Sequence, residues 1–232
     1  MRIAEFGMRT IEGAIYTALS ECYKDPGTEF AGDVATGRLY ELITTGFQQL
    51  SIPVAEETIL NLWLTNGDEN AGSWVKGQES RGMKIPLSLA YNKLKEDYYP
   101  LFFPLYVVPV ESIYKEWTNG EDVTGAMRGE KGYIMGDPAI EMLHRYKMLG
   151  IEIPQVYKDT PDHIALLLEY ASLLCENVYR EERAGFVLSH LGWVEDLRDD
   201  IYKYSEGIFY RAVADITVVF LQYERANLSM RG

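Results

Sequence analysis

Cysteine, histidine and positive charge are all scarce in this chain. Its 232 residues include two cysteines and three histidines, and 22 lysines and arginines stand against 35 aspartates and glutamates, for a formal net charge of −13. Cys22 and Cys175 make no Cys-x-x-Cys pair, and each falls on the apolar stripe of an expected helix, where a free thiol acts as a small core residue. Reduced thiols of this kind suit the cytoplasm. His144, His163 and His190 are widely separated with no cysteine nearby, so no zinc-binding spacing is present. The deficit of positive charge argues against nucleic acid and anionic membrane surfaces as partners, because both are polyanions, whereas a basic peptide is attracted.

Long hydrophobic runs are missing too. The longest apolar region, Tyr98 to Val110, is interrupted by Pro100, Pro104 and Pro109 and is too short to cross a bilayer as a helix. The opening residues, Met1-Arg2-Ile3-Ala4-Glu5, lack the basic-then-apolar order of a secretory signal. The expectation is therefore a cytoplasmic protein without stable membrane insertion. Gly125-Ala126-Met127-Arg128-Gly129 has neither the lysine nor the strand of a phosphate loop, and Ser112 and Ser189 lack a nucleophile-elbow setting. Glu195, Asp196, Asp199 and Asp200 form the densest carboxylate group. Asp196, Asp199 and Asp200 share a helical face, and a solvated surface beside Arg198 and Lys203 is favoured over a divalent-cation site.

What is present is helical periodicity. Ile11, Ala14, Ile15, Ala18, Leu19 and Cys22 recur at the spacing of one helix face, and Leu39, Leu42, Ile43, Gly46, Phe47 and Leu50 repeat it. Further stripes contain Ile59, Leu62 and Trp63; Leu87, Ala90, Tyr91, Leu94 and Tyr98 after Pro86; and Ile113, Tyr114 and Trp117 from about Val110. Another helix runs from about Pro138 to Gly150. A long apolar stripe from about Pro161 takes in Ile164, Leu167, Leu168, Ala171, Leu174, Cys175 and Val178. The last helix, from about Ser205, holds Ile208, Phe209, Ala212, Val213, Ile216, Val219 and Phe220. Strand-like alternation is scarce, so the fold class is all-α. The chain reads as one domain, 1–232, with possible parts 1–97 and 98–232 joined by a proline-rich connector from Pro100 to Pro109. Residues 65–85 and 119–136 are polar or glycine-rich loops.

Two polar segments invite chemistry. In Pro161-Asp162-His163, a first-turn proline with an acid beside it starts a helix well, since the acid meets the positive end of the dipole. That accounts for Asp162 and leaves His163, which can donate and accept hydrogen bonds to a bound backbone and whose charge would change near neutrality. In Pro109-Val110-Glu111-Ser112-Ile113-Tyr114, Glu111 or Ser112 could cap a helix and Tyr114 could be core. The same segment could equally form one wall of a peptide groove.

Taken together these blocks resemble the TorD-type family of cytoplasmic chaperones that assemble molybdenum oxidoreductases. Tyr98-Tyr99-Pro100-Leu101-Phe102 and Pro109 to Tyr114 are similar to the family's aromatic-x-x-Leu-Phe and Pro-Tyr-Glu-Ser-Val-Tyr stretches. Tyr146, Gly150, Pro161-Asp162-His163-Ile164 and Leu168-Glu169-Tyr170 resemble its Asp-His signature. Phe186, His190-Leu191, Trp193 and Phe209-Tyr210-Arg211-Ala212 resemble its C-terminal stretches. Val110 and Leu167 depart from the family's usual tyrosine and glutamate.

The resemblance implies an all-α, non-enzymatic chaperone without a cofactor, either a monomer or a dimer that exchanges a domain. Its implied partner is an apo molybdopterin oxidoreductase catalytic subunit or its twin-arginine leader peptide, held until cofactor insertion. A leaderless, nitrate reductase-like subunit is the alternative client, and a helical metal-dependent hydrolase or lyase the alternative class. Carried over onto this chain, the client-binding candidates are Pro109, Glu111, Ser112, Tyr114, Pro161, Asp162 and His163, with His190 and Trp193 as packing residues.

Overall fold

A computed structural model of the chain describes residues 10–63, 85–103, 106–116, 130–177 and 180–229. The opening residues Met1 to Glu5, the polar stretch 65–84, Pro104, Trp117, the glycine-rich run 119–129 and Val178 lie outside these ranges. Among the described residues there are eleven α-helices and no strand: α1 (Ile11–Cys22), α2 (Thr28–Ala35), α3 (Arg38–Leu50), α4 (Glu56–Leu60), α5 (Leu87–Phe102), α6 (Glu111–Tyr114), α7 (Asp137–Met148), α8 (Ile164–Asn177), α9 (Arg180–His190), α10 (Val194–Tyr204) and α11 (Ile208–Ser229). The all-α class expected from periodicity is the class observed. No described helix is long and apolar enough to cross a membrane.

Local signals set the helix ends. Thr10 caps α1, its side chain accepting from the Gly13 N–H at 3.1 Å. Helix α7 begins with Asp137 and Pro138 in its first turn and carries Arg145 and Lys147 in its last, an arrangement that complements the helix dipole at both ends. Gly150 stops it at φ 65°, a left-handed backbone that glycine adopts at no steric cost, and the Ile151 N–H folds back onto the Tyr146 carbonyl at 2.9 Å.

Helix α11 is the axis of the molecule and packs against α1, α4, α5, α9 and α10. Phe220, fully buried on it, meets the Tyr16 ring edge-on at 4.8 Å and stacks on Phe47 at 6.2 Å. Farther along, Tyr210 packs against Phe102 at 5.4 Å. Helices α1 and α8 lie along each other on a seam of small and hydroxylated residues. Ser172 Oγ donates to the Gly13 carbonyl at 2.8 Å and lies 2.9 Å from Thr17 Oγ1, and Ser20 Oγ donates to the Ala165 carbonyl at 2.8 Å. A Cβ on Gly13 would stand 3.4 Å from that of Cys175, an ordinary contact across the seam. Both cysteines are free, Cys22 buried and Cys175 half-buried.

Several boundaries differ from the sequence expectation. Helix α5 runs through Pro100 to Phe102 instead of yielding to a connector at Pro100. A proline in the last turn forfeits only one hydrogen bond, and the extra turn buries Leu101 and Phe102. The helix expected from Val110 to Trp117 is a single turn, because Lys115 is extended. The helix expected from Pro161 starts at Ile164, and the one expected from Ser205 starts at Ile208. Helix α2 was not anticipated, its buried Phe30, Ala31 and Val34 being too few to mark a stripe.

Phe220→Ala should lower unfolding free energy by about 3–5 kcal/mol, the cost of a buried aromatic lost with little collapse of the site. Urea denaturation of the variant and parent measures it, and a loss under about 1 kcal/mol would contradict the central place given to α11.

Candidate functional site

The two polar segments singled out in the sequence lie against each other. The Glu111 N–H donates to the Asp162 carbonyl at 3.1 Å and the Ile164 N–H to the Pro109 carbonyl at 2.8 Å, with an antiparallel bridge between Val110 and His163. The two segments thus meet through one antiparallel bridge, just ahead of α6 on one side and of α8 on the other, inside a helical protein. All of Pro109, Glu111, Ser112, Pro161, Asp162 and His163 are buried by it.

Asp162 does not cap its own helix. Its Oδ2 accepts from the Ser112 N–H at 2.7 Å and from Ser112 Oγ at 2.5 Å, so it serves an otherwise orphaned N–H at the start of α6. Ser112 Oγ in turn accepts from the Gly136 N–H at 3.1 Å, just before α7. Burial raises the Asp162 carboxyl above the usual carboxylate range, and the Ser112 hydrogen bonds offset only part of that.

His163 is the residue that caps α8. Its carbonyl accepts from the Leu167 N–H at 3.0 Å, and its Nδ1 lies 3.2 Å from the Ala165 N–H, which donates to it. An accepting Nδ1 requires neutral imidazole. Burial, with Lys24 nearby, pushes the imidazole down to about 3, so the charge change near neutrality expected from the sequence does not occur. Tyr157 packs on the ring at 4.8 Å.

Beside this pairing opens a cleft of about 450 Å³, walled by α6, the segment 130–136, the start of α7 and the end of α9. Glu111 and Tyr114 line it; Pro109, Ser112, Pro161, Asp162 and His163 do not. Glu111, 0 % exposed, forms an ion pair with Lys115 at 2.5 Å and lies 2.9 Å from His190 Nδ1. His190 Nε2 is 3.2 Å from Glu141 Oε1, in ion-pair range though off the line of a hydrogen bond. Burial works to raise the Glu141 carboxyl, but Arg145 and His190 beside it outweigh burial and bring it below the ordinary range. Tyr114 stacks on Trp193 at 4.9 Å and donates to Asp200 at 3.0 Å, and burial with that carboxylate pushes its phenol up. The Trp193 indole donates to the His190 carbonyl at 2.8 Å, which makes Trp193 a packing residue; His190 packs on Phe186 and also lines the cleft.

Sequence reasoning missed Lys115, Glu116, Lys131, Asp137, Pro138, Glu141 and Ser189 as cleft residues. The i,i+4 pairs Glu111–Lys115 and Glu141–Arg145 were a usable signal. The carboxylates of α10 do not converge: Asp199 is bonded to Arg198, Asp200 to Tyr114 and Glu195 to Arg225. Among the described residues no three His, Cys, Asp or Glu side chains are grouped to hold a metal ion.

This pairing and cleft lie within residues 88–203, the half of the chain that matches the family described as nitrate reductase delta subunit. The chain belongs to that family. Two similar proteins are each named Chaperone protein TorD. The one from Colwellia psychrerythraea is 35 % identical over 74 residues, 30 % of this chain and 31 % of that protein. The one from Shewanella pealeana is 24 % identical over 138 residues, 58 % of this chain and 60 % of that protein. The matches thus span less than two thirds of either relative, and they bear out the likeness to the TorD-type family read from the sequence.

His163 makes the family member's stability depend on pH. Its folded pKa lies below the unfolded value, so the unfolded chain takes up the proton first as pH falls. The stability present above about pH 6.5 is lost progressively toward pH 3. His163→Asn, which keeps an acceptor for the Ala165 N–H, should lose less stability between pH 7 and pH 5 than the parent, by on the order of 1–2 kcal/mol. Denaturant titrations at the two pH values test this; equal losses would mean that His163 is solvated and protonates freely.

Proposed function

We propose that this protein is a cytoplasmic, non-enzymatic chaperone that binds the twin-arginine leader or the apo-form of a molybdopterin oxidoreductase catalytic subunit and holds it until the cofactor is inserted. Membership of the nitrate reductase delta subunit family and the likeness to two TorD chaperones support the class. The observation that carries the reading on this chain is the open cleft at Glu111 and Tyr114. Four of its ten lining residues are the acids Glu111, Glu116, Asp137 and Glu141, against the lysines Lys115 and Lys131. Lys115 is already neutralised by Glu111. Glu141 is likewise paired, with Arg145. The lining still holds two more acids than lysines, and the net charge of −13 attracts cationic side chains from a distance.

Within this reading Tyr114 touches the client, and Glu111, 0 % exposed, acts through Lys115 and His190, which it pairs with on the cleft wall. Pro109, Ser112, Pro161, Asp162 and His163 determine binding through the wall they build. The chaperone works as a single domain, as a monomer or a domain-exchanged dimer.

Calorimetric titration with a peptide carrying paired arginines beside an apolar stretch tests the reading. Glu116→Gln combined with Glu141→Gln should weaken binding roughly tenfold, since two partly exposed charges contribute up to about 1 kcal/mol each. Affinity should also fall as salt rises. A peptide with both arginines replaced by glutamine that binds equally well would remove the electrostatic basis. Binding of the apo catalytic subunit without its leader would move the client site to a mature region. A melting temperature that rises with magnesium, manganese or zinc would favour a metal-dependent enzyme instead.

A further inference from the structure

Asp162 and Ser112 are both 0 % exposed and neither lines the cleft, so a client seated there does not reach them. They are nevertheless connected to its rim. Residues 130–134, which include Lys131, are exposed. This stretch also adopts demanding backbone: Gly132 has φ 91° and Met135, with a side chain, has φ 61°. Hydrogen bonds tie the segment to α6, among them those from the Gly132 N–H to the Ile113 carbonyl at 3.0 Å and from the Gly136 N–H to Ser112 Oγ at 3.1 Å.

The second of these bonds depends on Asp162. A serine hydroxyl has one proton to give. Donating it to Asp162 Oδ2 at 2.5 Å turns a lone pair toward the Gly136 N–H, and the Ser112 N–H held by the same Oδ2 prevents the serine from rotating as a unit. We propose that Asp162 and Ser112 are positioning residues, a buried carboxylate–hydroxyl pair that sets the segment carrying Lys131 and the start of α7 on the rim of the cleft. This role rests on the cleft being the client site. What the pair supplies is acceptor geometry. A carboxamide at 162 supplies it as well as a carboxylate, and a threonine at 112 keeps the hydroxyl.

The test compares Asp162→Ala, Asp162→Asn, Ser112→Ala and Ser112→Thr in the full chain. It uses two measurements: amide hydrogen exchange of residues 130–136 against that of α11, and calorimetric affinity for the arginine-paired peptide. Asp162→Ala and Ser112→Ala should speed exchange at 130–136 about tenfold relative to α11 and weaken the peptide about tenfold, the loss of one buried hydrogen bond. Asp162→Asn and Ser112→Thr should restore both. Asp162→Asn losing affinity as fully as Asp162→Ala, with exchange at 130–136 unchanged, would overturn the proposal, because the client would then be reading the charge. So would Ser112→Ala leaving exchange at 130–136 unchanged, and this milder variant decides the matter where Asp162→Ala does not fold. A parent protein that binds no peptide would sink the client reading instead, while the exchange ratios would still decide whether the pair positions the segment.

Discussion

The structure depends on a pairing that a helical protein does not ordinarily contain. Residues 109–112 and 161–164 lie antiparallel, bonded through the Glu111 N–H and the Ile164 N–H, and a buried carboxylate from Asp162 closes on Ser112. Helices satisfy their own backbone except at their ends. Here two helix ends, those of α6 and α8, are brought together so that each segment supplies what the other lacks. Asp162 serves the start of α6, His163 serves the start of α8, and the carbonyls of Asp162 and Pro109 accept from the first N–H of each facing helix. A helix start that was satisfied by water instead would not need either side chain and would not build a wall.

The electrostatics follow from that burial. A chain with 13 more negative than positive charges still buries acids, and each is met by a specific partner. Glu111 faces Lys115 and His190; Glu224 accepts from the Tyr16 phenol at 3.2 Å and lies 3.5 Å from the Arg183 guanidinium. Burial raises Glu224, and Arg183 opposes it. Buried ion pairs of this kind contribute little net stability, because desolvation offsets most of the attraction. Their effect is geometric. The Glu111–His190–Glu141 series links α6, α9 and α7 beside the cleft.

Much of the fold was legible because apolar spacing is a direct record of which face is buried. The stripes of α1, α3, α8 and α11 are long enough for the 3.6-residue period to show, and they proved to be the core. Helix α2 was not legible, because two turns carry too few apolar positions to set a period. Pro100 misled for a different reason: its local cost is real, but Leu101 and Phe102 recover more by burial than one lost hydrogen bond takes away. The cleft was legible only in part, because its lining is assembled from four segments spread along the sequence. Glu111 and Tyr114 do line a cleft, whereas Asp162 and His163 stand behind it, and the Lys131, Asp137 and Glu141 side of the rim gave only a weak signal through i,i+4 charge pairs.

By itself the sequence determined the helical class, the identity of the main core faces, the free thiols, the acidic surface and the likeness to TorD-type chaperones. Each of these rests on composition or on order along the chain, which folding does not alter. Only the tertiary structure decided what Asp162 and His163 do. A carboxylate beside a helix start can cap its own helix or a neighbour's, and an imidazole can titrate or stay neutral. The choice rests on which segment lies within about 3 Å and how much water remains, and Ser112 is 50 positions away in sequence from the carboxylate it binds.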